Sequence, residues 1–80
     1  MMSELELIAK SVIDEGGEFY TLETCKHGKL AKIVTHYESR HQIYNNVTYH
    51  VFNADGKREF AHVNYHIAYN YYMNNIVEVR

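Results

Sequence analysis

The apolar residues near the start of the chain recur with a helical period. Leu5, Ile8, Ala9, Val12 and Ile13 fall at i, i+3, i+4, i+7 and i+8. This is one face of an amphipathic helix over residues 3–15. Ser3 and Glu6 have the spacing of a capping box, in which each side chain satisfies a free N–H of the first turn. Gly16 and Gly17 supply the stop, because glycine enters the left-handed conformation without a Cβ clash.

Beyond the glycines the period becomes two. Tyr20, Leu22 and Thr24 alternate with Phe19, Thr21 and Glu23, and His27-Gly28 reads as a turn into a second strand, Lys29 to Tyr37. On that strand Ala31, Ile33, Thr35 and Tyr37 share one face, and Leu30, Lys32, Val34 and His36 the other. The stretch from Glu38 to Asn46 fits either a long loop or a strand extension turning at Asn45-Asn46. Val47 to Phe52 is β-branched and aromatic. Asn53-Ala54-Asp55-Gly56 is a hairpin turn signal, and Lys57 to Ala61 is the returning strand. Asn64 is placed to cap a second helix running to about Asn74 and ended by Asn74-Asn75, with Ile67, Ala68 and Tyr71 inward, and Ile76, Val77 and Val79 predict a short final strand. The expected fold is α+β over residues 1–80 as a single domain. It has an antiparallel sheet of three to five strands, an N-terminal helix, and a second helix before a short C-terminal strand. Helices near both ends are expected to cover one face of the sheet and leave the other open.

Composition narrows the function classes. Eighty residues support one core. Hydrophobic residues at 46% and charged residues at 22% match folded globular chains rather than disordered ones. No apolar run approaches the roughly 20 residues that span a bilayer, and Ser3, Glu4 and Glu6 do not resemble an export leader, so no membrane partner is expected. The lone Cys25 fits a reducing compartment, which points to the cytoplasm. A net charge of −2 lacks the basic excess of proteins built to neutralise phosphates.

Six histidines raise the question of a metal. His62 and His66 have i, i+4 spacing, with His36, His50, Cys25 or His27 as further donors. Asn64 is the better cap, however, which leaves His62 outside the helix, and no HExxH or paired-cysteine pattern accompanies the pair. Solvent-facing histidines without a metal are the expectation. Cys25 and His27 share a strand face but lack an orienting third group. Asp14-Glu15 reads as solvated charge at a helix end, and Gly16-Gly17 lacks the pattern of a phosphate loop. A non-enzymatic chain without a cofactor is expected.

Tyrosine is the outlying residue, with eight copies against no tryptophan. Tyr65, Tyr69 and Tyr72 lie at i, i+4 and i+7, flanked by His62, His66 and Asn70. Two readings stand: the stripe packs on the sheet with hydroxyls reaching solvent, or it is an exposed docking patch. Docking through it requires that Tyr69→Ala leave the fold intact. Tyr37, Glu38, Arg40, His41 and Tyr44 form a second candidate surface. The expected partner-binding residues are Tyr65, His66, Tyr69, Tyr72, Tyr37, Arg40 and Tyr44. Aromatic residues among Lys26, Lys29, Lys32, Arg40, Lys57 and Arg58 could instead stack nucleic-acid bases, a reading that the acidic balance disfavours. An open sheet face or a terminal strand edge could also pair two copies into a homodimer.

In its short single domain, rich in tyrosine, asparagine and histidine and without proline or tryptophan, the chain resembles the small accessory proteins of bacteriophages. Val47 through Val79, with its Asp55-Gly56 turn, is similar in layout to several of them. The resemblance implies a protein that binds and blocks a host enzyme or defence complex in the host cytoplasm, and it transfers no residue roles.

Overall fold

The computed structural model describes residues 2–78. Ser3 caps α1 (Glu4–Asp14) by accepting the Glu6 N–H at 3.2 Å. The helix ends where Gly16, at φ 82°, lets Gly17 donate back to the Val12 carbonyl at 2.8 Å. Four strands follow: β1 (Glu18–Cys25), β2 (Gly28–Ser39), β3 (Gln42–Asn53) and β4 (Arg58–His62). They pair in chain order, each antiparallel to the next. The chain is therefore α+β, as its pattern predicts.

Leu30, Ala31, Ile33 and Val34 are all buried. A run without alternation means that both faces of β2 are covered. Side chains on adjacent strand positions point to opposite faces, which divides the core in two. On one face Leu30 and Val51, with Cys25, Tyr49 and Phe60, pack against Ala68, Tyr72 and Ile76. On the other lie Ala31, Ile33, Phe52 and Phe19, the two phenylalanine rings 6.5 Å apart. Over that second face lies α1, which buries Val12 and is tied down where Leu5 donates to the Gly56 carbonyl at 2.8 Å and Glu4 accepts the Arg58 N–H at 3.2 Å. The expectation of one open sheet face is thus corrected. The helices take opposite faces because the central strands are apolar on both.

The C-terminal region departs further from expectation. Asn64 does cap α2 (Tyr65–Tyr72), accepting the N–H groups of His66 at 2.9 Å and Ile67 at 3.3 Å. The chain does not then form a strand. It continues directly into a π-helical turn, Met73–Val77, that contains Ile76 and Val77, and Val79 lies outside the described residues. Asn74-Asn75 does not break the helix, since Ile76 beyond it is buried, and the Asn75 side chain donates to the Tyr71 carbonyl at 3.0 Å. Four residues of α-helix overshoot one turn by about 40°. The wider π turn cancels that drift and keeps Ala68, Tyr72 and Ile76 in one buried row. Ile67, expected inward, is exposed.

Ile76 closes over Gly28, where a Cβ would collide with the Phe52 carbonyl and lie 2.9 Å from Ile76 Cγ2. Backbone cannot yield as a side-chain tip can. Gly28→Ala should destabilise the fold by about 2–3 kcal/mol, measured as a lower urea midpoint at unchanged slope. A midpoint within error of the native one would mean that the approach of these segments is not tight.

Candidate protein-docking surface

The pairing of β1 with β2 ends at Glu18–Val34, and that of β4 with β3 ends at Tyr49–His62. The ladder of β2 with β3 runs on alone, through Thr35–Asn46 and Tyr37–Tyr44 to Ser39–Gln42. At about 3.3 Å per residue, these five further positions carry the tip roughly 16 Å beyond the body. What the sequence left open between a loop and an extension is a two-stranded arm. It turns at Arg40-His41 rather than at Asn45-Asn46.

Both turn residues are left-handed, Arg40 at φ 51° and His41 at φ 66°. These angles fit the type I′ turn that matches strand twist, a conformation usually filled by Asn-Gly. A side chain with a Cβ costs about 1–2 kcal/mol there. The missing Asn-Gly signal is why the turn was not legible. The arm has no core beneath it. On one face Tyr37 and Tyr44 stack at 5.3 Å and 19°, and the Tyr44 hydroxyl donates to Gln42 Oε1 at 2.8 Å. On the reverse face Ile43 is 75% exposed, and His36 Nδ1 lies 2.6 Å from Asn45 Oδ1. At the arm's root His36 Nε2 is 3.8 Å from Glu18. Between Thr35 and Asn46 the only full charges are Glu38 and Arg40, so the surface is close to neutral.

The α2 tyrosines stand differently. Tyr72 is 3% exposed and belongs to the core, which removes it from any docking surface. Tyr65 and Tyr69 are half-buried against that core, stacked on each other at 5.7 Å, with Tyr65 edge-on to Tyr49 at 5.4 Å. Of the expected α2 surface, only His66 is exposed, beside Ile67 and Asn70. Truncating Tyr69 therefore removes packing from the fold itself. The spacing of four from Ala68 through Tyr72 to Ile76 was the signal for the buried row.

The polar candidates are scattered. His62 ends β4, stacks on Phe60 at 6.1 Å and accepts the Asn64 N–H on Nδ1 at 2.9 Å, whereas His66 sits on α2, so they share no helix. Among the described residues no three His, Cys, Asp or Glu side chains converge as a metal site would need. Cys25 lines a pocket of about 270 Å³ with Ser3, Glu6, Lys29 and Asp55. The Tyr72 hydroxyl, then the N–H groups beside it, hold its thiol below the usual range. No histidine lines that pocket to act as its base.

His50 escaped the sequence reading as a core residue. It is 8% exposed, with Nε2 3.0 Å from Thr48 Oγ1 and Nδ1 buried without a partner. Burial first, and Arg58 second, hold its pKa below the ordinary value. The unfolded chain then binds the proton more readily than the folded one. Its contribution is fully present above about pH 6.5 and is lost as pH falls towards the depressed folded-state value. In urea melts between pH 7 and pH 5, His50→Leu should flatten the fall of stability with acid, and an unchanged slope would assign that fall to other groups. No protein-family model, curated protein or solved structure matches this chain.

Proposed function

We propose that this chain is a non-enzymatic binding domain that docks its β2–β3 arm on another protein and blocks or modulates that protein sterically. The observation that carries this reading is the stacked Tyr37–Tyr44 pair, backed by exposed Ile43, on a ribbon with no core of its own. A lone two-stranded ribbon is marginal in water. Aromatic surface held out on such a ribbon is in the form that protein interfaces use, a large area at low entropy cost. A strained turn of Arg40 and His41 supports the same reading, since backbone strain is retained where side chains are needed. The near neutrality of the arm favours a protein over a nucleic acid. The resemblance in composition to bacteriophage accessory proteins makes a bacterial enzyme or defence complex the first partner class to test.

Affinity capture from a nuclease-treated bacterial lysate supplies the candidate partner, and calorimetry against the purified partner supplies the test. Tyr37→Ala with Tyr44→Ala should weaken binding about 30-fold or more while the melting of the body is retained. Full affinity in that double variant removes the arm from the interface, and capture that nuclease abolishes favours nucleic acid instead. Arg40→Asn with His41→Gly should raise stability by about 1 kcal/mol, because it relieves the left-handed strain, and should weaken binding by deleting the tip. A gain in stability with unchanged affinity would restrict the contact to the tyrosine face.

A further inference from the structure

The backbone edge of the arm carries a second property, independent of its tyrosine face. A two-residue loop makes Ser39 and Gln42 a mutually bonded pair, so the N–H and C=O groups of Gln42, Tyr44, Asn46 and Thr48 point towards β2. Those of Ile43, Asn45 and Val47 point away from it. Among the described residues β4 covers this edge only as far as Tyr49. Residues 42–48 therefore present an open edge that contains no Lys, Arg, Asp, Glu, Pro or bulge. The outer edge of β1, by contrast, is broken by a bulge at Leu22 and carries Glu18 and Glu23. Charge and bulging are how exposed edges are usually kept apart.

The open window is also its own complement. We propose that it pairs with the same window of a second copy, antiparallel about Asn45, to form one sheet continuous through both chains. In that register Asn45 opposes Asn45, Ile43 opposes Val47, Tyr44 opposes Asn46, and Gln42 opposes Thr48. On one face two Ile43–Val47 pairs flank the central Asn45–Asn45 pair, and on the other polar or aromatic groups meet, with no charge opposite a charge. Ile43, Asn45 and Val47 each use both of their outward backbone groups. The two-fold axis stands perpendicular to the sheet, so the Tyr37–Tyr44 stacks of both copies fall on the same side as one aromatic row. The window begins at the turn and ends where the pairing with β4 ends, with Asn45 at its midpoint. Ile43, the most exposed of the large apolar side chains among the described residues, then lies beside Val47 of the second copy.

Sedimentation velocity on the native chain and on Asn45→Asp and Asn45→Lys tests this pairing. Asn45 is exposed, so neither change disturbs the core. The native chain should be dimeric at about 100 μM. Each variant alone places like charges directly opposite one another and should self-associate at least about tenfold more weakly. An equimolar mixture of the two should recover dimers, because Asp then faces Lys. A monomeric native chain, variants that dimerise as tightly as the native chain, or a mixture that stays monomeric would each overturn the proposal; the last two would place any dimer on another surface.

Discussion

The ladder between β2 and β3 is the constraint on which the rest of the molecule depends. It pairs twelve residues of each strand without a register break, from Gly28–Asn53 to Ser39–Gln42. Twelve strand residues span about 40 Å, whereas the eleven residues of α1 and the eight of α2 cover only about 16 and 12 Å. Neither helix can shield the whole ribbon. The apolar half, up to Val34 and Val47, takes both helices, and the polar half is left to water as the arm.

The two ends of the ladder are consequently held in different ways. At the body end Ile76 closes over Gly28, and the N-terminal turn of α1 is bonded to Gly56 and Arg58. Two of the three hairpin turns are pinned there by tertiary contacts. The third, at Arg40-His41, meets no other element among the described residues and keeps its shape through local geometry, tyrosine stacking and the ladder. Proposed docking through the arm uses a long part of the sheet whose side chains are not committed to the fold.

Where a local rule and a burial requirement agreed, the sequence was easy to read. Ser3, Gly16 and Gly17 bound α1, Asn64 caps α2, and the Asn53–Gly56 turn separates β3 from β4 as the pattern predicts. The failures arose where one signal overrode another. Asn74-Asn75 reads as a stop, yet burial of Ile76 draws the helix onward. The polar run from Glu38 to Asn46 fits a loop as well as a strand because strand pairing here has no hydrophobic face to announce it, and Arg40-His41 carries none of the usual turn residues. The tyrosine stripe on α2 could not be divided into core and surface until the sheet was known to be covered on both sides. Tyr72 then fell inside, and Tyr37 and Tyr44 remained outside. His50 gave no signal at all, since a histidine between β-branched and aromatic neighbours looks like any polar strand residue.

Strand pairing on only one side of β3 also gives the arm an alternating exposure to solvent along its backbone. The amides of Gln42, Tyr44 and Asn46 lie inside the ladder with β2, while those of Ile43, Asn45 and Val47 face water. Hydrogen exchange along this stretch should therefore read as a comb, slow and fast by turns, on a single strand. A strand laid against the edge fills the gaps in that comb, whereas a ligand seated on the tyrosine face leaves them open, so the amide pattern alone distinguishes the two modes of contact.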